Sequence, residues 1–370
     1  MTLLDRYVLR SAAVNYVISL AVMVGLYVVL DLFFNMDEFT EAGEPVGEVL
    51  VNVVSYYGTN LFRYFGQLSG VVTLFACMVT LARMRKANEL TAMLASGMSL
   101  YRVAAPLLAF GILTTGLWVL DTEVLIPELA PKLARRHDDA RGEKTYGVWF
   151  LEDKDGALLS AQKFLPETGT MRRMLVLKRD EQGMVTSVIE AEEAVWERLE
   201  GHPLGGRWVL TRGLERSTET AAESSFGPQE MLVKKRVDHY ESHLDPAKIE
   251  LRQSAQWISF LSSRQLAELG RRDLPSSVAV AVQQTRHSRF AMPIVNLLLL
   301  LLGIPFLLDR EPGTILSDAA KCLGACGACF AVAFAGQSVL SPDSYSALPS
   351  WLPIIVFSPL AVVLIDRIRT

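Results

Sequence analysis

The sequence lacks several features that mark particular protein classes. Its formal net charge is only −4, so no basic surplus indicates a nucleic-acid partner. All four cysteines lie in apolar stretches, so the polar segment 127–274 holds none and no disulfide can crosslink it. A G-x-x-x-x-G-K-[ST] phosphate loop is also missing, so nucleotide hydrolysis is not indicated for this chain.

Metal-binding and catalytic patterns are scarce as well. Only His239 and His243 have a spacing close to that of metal ligands. Their segment ends a strand pattern just before a proline, so we do not expect them to bind a metal. Cys322, Cys326 and Cys329 have C-x3-C-x2-C spacing, but they lie among glycine and alanine in an apolar run, which favours helix packing. No Ser/His/Asp set stands out. We expect no catalytic residue, no cofactor and no metal.

Long apolar runs dominate what is present. Hydrophobic residues make up 51% of the chain and are massed in runs long enough to cross a bilayer. The runs are residues 12–34, 53–82, 103–126, 290–308, 319–340 and 351–365, the last extending to 348 and 368. The first is too long for a signal-peptide core and precedes acidic residues, not a cleavage site. The sequence therefore predicts an α-helical membrane protein with six transmembrane helices.

Lysine and arginine in the short loops indicate the orientation of these helices. Positive charges collect on one side: Arg6, Arg10, Arg83, Arg85, Lys86, Arg310, Lys321, Arg367 and Arg369. The loops on the other side, 35–52 and 341–350, contain neither lysine nor arginine. We expect both termini in the cytoplasm and the large polar segment outside it.

That polar segment predicts an inserted all-β domain, jelly-roll-like in type. Short alternating or β-branched runs recur, separated by turn signals such as residues 152–156 and 179–183. The expected strands are 146–151, 157–164, 173–178, 185–195, 207–211 and 230–237. Residues 254–269 have the spacing of an amphipathic helix. The predicted domains are 1–126 with spans one to three, 127–274 outside the membrane, and 275–370 with spans four to six.

The segment 88–97, between spans two and three, predicts a short amphipathic helix on the cytoplasmic side. Asn88 suits its N-cap, Glu89 suits its first turn, and Gly97 suits its end. One face is apolar and carries Leu90, Met93 and Leu94. Two interpretations remain open. The helix either joins two spans at the membrane surface or docks into a cytoplasmic motor protein and transmits its motion.

Four passages together resemble the LptF/LptG-type permeases of lipopolysaccharide export. They are residues 4–9; residues 88–92 and 95–99 with Pro106; residues 257–261 with 265–266; and residues 289–293 and 302–306 with 350–353. The resemblance covers both membrane halves and the position of the outer domain, and the domain itself matches only in type.

The resemblance implies a permease subunit of an ATP-driven exporter in the inner membrane of a two-membrane bacterium, and not an enzyme. Its implied partners are a cytoplasmic ABC ATPase dimer, a second six-span permease, a lipopolysaccharide-type lipid and periplasmic bridge proteins, with a single-span anchor beside span one or five. Glu89 would meet a basic residue of the ATPase. Leu90, Met93 and Leu94 would fill its groove, between Asn88 and Gly97.

The outer end of span one departs from the family pattern. Basic residues there are thought to meet the phosphates of the lipid, whereas this chain has Asp31, Asp37 and Glu38. The candidate lipid contacts are instead Arg63, Lys132, Arg135 and Arg136.

Two other functions remain open from the residues alone. One is a membrane-embedded lipid-modifying enzyme, and the other is a mechanotransmitting or sensory protein with a periplasmic ligand-binding domain. Asp121 and Glu123, near the end of span three, are functional candidates because intramembrane acids are costly. Water at the outer interface would explain them equally well.

Overall fold

The structure is a computed structural model. It describes residues 3–36, 46–134, 145–180, 182–199, 206–220, 230–252, 254, 256–271, 276–308, 314–339 and 347–369. The chain divides into two compact units. The membrane unit comprises residues 1–37, 57–129 and 258–370, and the β unit comprises residues 38–56 and 130–257.

Six helices in the described chain are long and apolar enough to cross a bilayer, which confirms the predicted number of spans. Spans one and two are Leu3–Phe34 and Val46–Lys86, and span three begins with Leu100–Leu120. Spans four, five and six are Ser276–Leu307, Ile315–Val339 and Leu348–Arg369. Spans two and four begin earlier than their apolar runs because polar residues continue both helices at their N-terminal ends.

The core of the membrane unit includes fully buried leucines of spans two, three and four. Leu74, Leu107 and Leu299 are each 2% exposed or less. Glycine allows close approach at these contacts, since a Cβ on Gly303 would lie 2.5 Å from Cδ1 of Leu74. Close packing through small residues is the main way that helices associate in lipid.

Span three changes its helical pitch near its C-terminal end. After Leu120 the chain forms a π-helical turn, Asp121–Leu125, and then returns to an α-helix, Ile126–Leu133. Pro127 has no N–H to donate to the carbonyl of Glu123, and its ring crowds that carbonyl. This proline therefore accounts for the local irregularity, of a kind often found at functional sites.

The β unit contains one antiparallel sheet of eight strands within the described residues, which confirms the all-β expectation. The strands are β1 Tyr146–Glu152, β2 Leu158–Leu165, β3 Thr170–Arg179, β4 Val185–Arg198, β5 Gly206–Thr211, β6 Leu214–Thr220, β7 Glu230–Arg236 and β8 His239–Tyr240. Strand β6 was missed by the sequence prediction because its residues are mostly polar and do not alternate.

Strands β1 to β5 pair in sequence order, and β8 pairs with β5. Strand β4 is long enough to pair with β5 at one end and with β6 at the other, and β6 in turn pairs with β7. Leu159, Phe164 and Trp208 are fully buried in the core of the sheet. The indole N–H of Trp208 donates to the carbonyl of Leu244 at 3.0 Å.

One predicted turn, at Asp153, is tied to the chain after β8. The hydroxyl of Ser242 and the N–H of His243 donate to the Asp153 carboxylate at 2.5 and 2.8 Å. The hydroxyl of Tyr240 also donates to it at 3.1 Å, and burial raises the pKa of Tyr240. His239 lies in strand β8, so the two histidines do not share a helix face.

The predicted amphipathic helix 254–269 is wrong as one continuous helix. The structure instead has a 3-10 turn, Trp257–Phe260, followed by an α-helix, Ser263–Leu269. Ser262 starts the second helix with a capping box, because its side chain accepts from Gln265 N–H and the Gln265 side chain accepts from Ser262 N–H. Such a box requires an extended residue at 262, which interrupts the helix.

Candidate functional site

The predicted short helix is present as Glu89–Ala95, here called the surface helix. Asn88 precedes it in the left-handed region, at φ 58°, and makes no side-chain capping bond, so its expected capping role is not realised. Gly97 ends it at φ 82° as expected. The N–H of Gly97 donates to Leu94 O at 3.0 Å, and the N–H of Met98 donates to Met93 O at 3.3 Å. These two bonds form a Schellman motif at the end of the helix.

The apolar face of the surface helix points into the chain's own core. Leu90 is only 5% exposed, and Met93 and Leu94 pack against the same cluster of buried residues. This corrects the expectation that these three side chains fill a groove on a partner. To do so they would have to leave the core of the membrane unit, at a cost of about 1.5–3 kcal/mol for each fully exposed side chain.

The outward face of the surface helix consists of small and polar residues. Thr91, Ala92 and Ala95 are exposed, as is Asn88 just before them. At the edge of this face, the carboxylate of Glu89 accepts a hydrogen bond from the hydroxyl of Tyr7, whose single O–H is shared by the two oxygens at 3.0 and 2.9 Å. Tyr7 belongs to span one, so the surface helix is bonded to a helix far away in sequence.

Span one is also bonded to span two close to this point. The side-chain amide of Asn15 donates to the hydroxyl of Thr80 at 2.8 Å, and Arg83 donates to Oδ1 of the same amide at 3.2 Å. A further contact joins span two to span five, where Arg85 and Asp318 form a buried ion pair at 2.9 Å. The ends of the spans nearest the surface helix are therefore linked by polar bonds as well as by apolar packing.

Two of the four candidate lipid contacts, Arg63 and Lys132, lie within the described residues. Arg63 is half-buried on span two, with its guanidinium 5.5 Å from the ring centroid of Tyr64. Lys132 is exposed at the end of the helix Ile126–Leu133. Arg135 and Arg136 lie outside the described residues. Asp31, in the last turn of span one, accepts a hydrogen bond from the hydroxyl of Tyr57 at 2.8 Å.

The comparison with protein-family models decides the family. The model for the lipopolysaccharide export system permease LptF/LptG matches residues 6–367. The chain belongs to the LptF/LptG family. No curated protein matches the chain. The protein is accordingly a multi-pass inner-membrane permease of lipopolysaccharide export, and the family match supports this function over a lipid-modifying enzyme or a sensor.

In this LptF/LptG chain, sequence reasoning missed a groove on span four. Arg286 is exposed in it and His287 is half-buried, and the lining also includes Gln283 and the apolar side chains of Val282 and Phe290. The combination of a cation with apolar walls suits an amphiphilic anion. In the sequence, the polar stretch 283–289 stands directly before an apolar run. Nothing in this pattern indicates that the polar residues belong to the helix of span four.

The cysteines of this permease serve packing, as expected. The thiols of Cys322 and Cys326 face spans two and four, 3.5 Å from Sδ of Met78 and 3.8 Å from the carbonyl of Leu299. All four cysteines are free and buried. Among the described residues, no group of three or more histidine, cysteine or acidic side chains is placed to hold a metal ion.

Proposed function

We propose that this permease works as one half of a paired transporter driven by a separate cytoplasmic ATPase dimer. The second half would be another six-span permease of the same family, and the lipid would pass to periplasmic bridge proteins. Exposed apolar surface supports the pairing: spans one and five are far less buried by the chain itself than spans two, three and four. Such faces need lipid or another helix as a neighbour.

The surface helix is the coupling element in this proposal. Its exposed face of Asn88, Thr91, Ala92 and Ala95 would lie in a groove of the ATPase, where small side chains permit close backbone approach. The Glu89 carboxylate, oriented by Tyr7, would pair with a basic residue of the ATPase at the edge of the contact. Gly97 would stop the helix so that it fits a groove of limited length.

The inward contacts explain how motion would pass from this helix to the lipid pathway. Leu90, Met93 and Leu94 anchor the helix in the core shared by the spans, and the bond from Tyr7 links it to span one. A rigid displacement of the helix would therefore move several spans together, as in the shear motions of packed helices. We propose a coupling helix that is embedded on one face and docked on the other.

The orientation and domain limits belong to the same proposal. Both termini would be cytoplasmic and residues 127–274 would form the periplasmic domain between residues 1–126 and 275–370. Short loops on the cytoplasmic side of a membrane are enriched in lysine and arginine. Span two ends with Arg83, Arg85 and Lys86, beside the surface helix. The β unit would then receive the lipid outside the membrane.

Contacts to the charged part of the lipid would come from basic residues on the outer side. The proposed set is Arg63, Lys132, Arg135 and Arg136, to which we add Arg286 of the groove on span four. Arg63 is half-buried, and Lys132 and Arg286 are exposed, so these cations would meet phosphate without a fixed, fully enclosed pocket. A single-span anchor packed beside span one or five would complete the entry path.

Co-purification of the tagged chain from its native membrane tests the coupling proposal. Ala92→Arg places a long cation on the exposed face and should remove a P-loop ATPase from the purified complex while a second permease remains. Gln162→Arg, an exposed position of strand β2, is the matched control and should retain both proteins. Retention of the ATPase by the Ala92→Arg complex would refute docking through this face.

A further inference from the structure

Span three contains a buried carboxyl group whose charge is not stabilised by any hydrogen bond from the described residues. Asp121 is 2% exposed, and neither carboxylate oxygen has a hydrogen-bond partner among the residues that the structure describes. The hydroxyl of the adjacent Thr122 is also buried and also has no hydrogen-bond partner among the described residues. The carboxyl group of Asp121 is therefore shielded from bulk solvent in this conformation.

The surroundings of Asp121 are mostly backbone and uncharged. Span two faces it with Gly66, where a Cβ would come within 3.3 Å of Oδ2, and Trp118 donates its indole N–H to Gly66 O at 2.7 Å. The nearest cation on span two, Arg63, lies about one turn away over Tyr64. An ionised carboxylate in such a place, without hydrogen bonds, is strongly disfavoured relative to the neutral acid.

One cation does act on Asp121 from a packed helix. Arg289 of span four is 9% exposed and interacts electrostatically with Asp121. Its guanidinium is engaged elsewhere: it donates to Thr122 O at 2.7 Å, to Ser259 O at 2.6 Å and to Leu261 O at 2.9 Å. Its nearest carboxylate is that of Glu123, at 3.7 Å.

Glu123 differs from Asp121 although it lies only two residues further along. The N–H and hydroxyl of Ser263 donate to its carboxylate at 2.8 and 2.6 Å. Both acids belong to the π-helical turn of span three, in which one extra residue is accommodated per turn. A shift of this turn by one residue would rotate Asp121 and change the carbonyl that Arg289 meets.

We propose that Asp121 is a proton-binding site of the membrane unit. It holds its proton in the conformation described here, and releases it when the π turn re-registers and the carboxylate pairs with Arg289. The O–H bond of the acid breaks, the proton passes to water at the outer interface, and a salt bridge replaces part of the bonding of Arg289 to backbone carbonyls. The site would couple proton release to a change in span three.

Infrared spectroscopy of the purified full-length chain in detergent tests the site without lipid or ATPase. A protonated buried acid gives a carbonyl-stretch band apart from those of carboxylates. The wild-type chain should show this band at neutral pH and Asp121→Asn should lack it, whereas Glu123→Gln should retain it. An unchanged band in Asp121→Asn, or its loss in Glu123→Gln, would overturn the proposal. Neither result depends on the coupling proposal.

The role of Arg289 is tested by the same band in alkaline buffer. Arg289→Gln removes the cation that would accept the ionised Asp121, so the band should persist into more alkaline solution than in the wild-type chain. Arg264→Gln, which removes an exposed arginine, is the control and should titrate as the wild type does. Coincident titration of Arg289→Gln and wild type would refute the pairing. Arg289→Lys, which keeps the charge, should restore wild-type behaviour and separates this effect from misfolding.

Discussion

At the scale of single residues, some glycines of the membrane unit lie against a neighbouring helix, whereas others have open space where a side chain would be. A Cβ on Gly303 would meet Cδ1 of Leu74 at 2.5 Å and Sγ of Cys322 at 3.0 Å, whereas nothing lies within 4 Å of a Cβ on Gly324. Both glycines occur in apolar runs. Their sequence context therefore gives no means of telling the packed position from the open one.

We expect Gly303→Ala to lower the free energy of unfolding by about 1–3 kcal/mol, because spans two, four and five must move apart to admit the methyl group. Thermal unfolding of the detergent-solubilised chain measures this. Gly324→Ala is the control and should be neutral or slightly stabilising, since alanine favours the helix. Equal destabilisation by the two substitutions would contradict the packing described here.

Several residues with specific roles in the membrane unit carry no distinctive sequence signal. Tyr7 lies within the passage 4–9 that carries the family resemblance, yet its bond to Glu89 joins positions 82 residues apart. Asp121 and Glu123 look alike in sequence, and only the fold supplies Ser263 to one of them. Long-range partners of this kind cannot be read from local pattern.

At the scale of elements, the surface helix shows what periodicity does and does not determine. The spacing of Leu90, Met93 and Leu94 correctly predicts one apolar face. It does not say whether that face is covered by the chain itself or by a partner, because both impose the same pattern. Similarly, the spacing in 254–269 suits one helix, but the capping box at Ser262 and the bonds from Arg289 to Ser259 and Leu261 interrupt it.

The strands of the β unit are joined by a charged cluster that gives a pH prediction. Lys178 on β3 donates to Glu215 on β6 at 2.7 Å, and Ser187 on the intervening β4 donates to the same oxygen at 2.9 Å. The bond from Lys178 is the main reason why the pKa of Glu215 lies below its ordinary value of 4.5. The Glu215 carboxylate therefore contributes fully to stability above the ordinary value of 4.5, and this contribution is lost as the pH falls through the lowered pKa.

We expect the β3–β4–β6 region of the full chain to open more readily as the pH falls below the ordinary range of a glutamate. Amide hydrogen exchange of the β4 and β6 peptides, corrected for the pH dependence of exchange itself, measures this opening. Glu215→Gln should flatten the acid dependence because it removes the titrating group. The same acid dependence in wild type and variant would show that Glu215 does not contribute.

At the scale of the whole molecule, the sequence predicted the span number and the inserted β domain because both depend on composition over many residues. Twenty apolar residues in a row have few alternatives to a membrane helix. Strand β6 was not predicted because its side chains, apart from Leu214, are polar and do not alternate with apolar ones. Its position in the fold is set by its pairing with neighbouring strands of the sheet.

The proposed orientation can be measured by cysteine labelling in spheroplasts, with a reagent that does not cross membranes. The four native cysteines are buried, so they should contribute little background. Glu167→Cys, in an exposed turn of the β unit, should react before lysis, and Ala87→Cys, exposed beside the surface helix, should react only after it. The reverse order would invert the topology.

The central claim is that the surface helix uses one face inside the permease and the other against an ATPase. Site-specific photocross-linking in native membranes tests it most directly, with a photoreactive amino acid at position 92 or at position 90. We predict a cross-link to a P-loop ATPase from position 92, where Ala92 is exposed, and none from position 90, where Leu90 is buried. Cross-links from position 90 alone, or from neither position, would contradict the account.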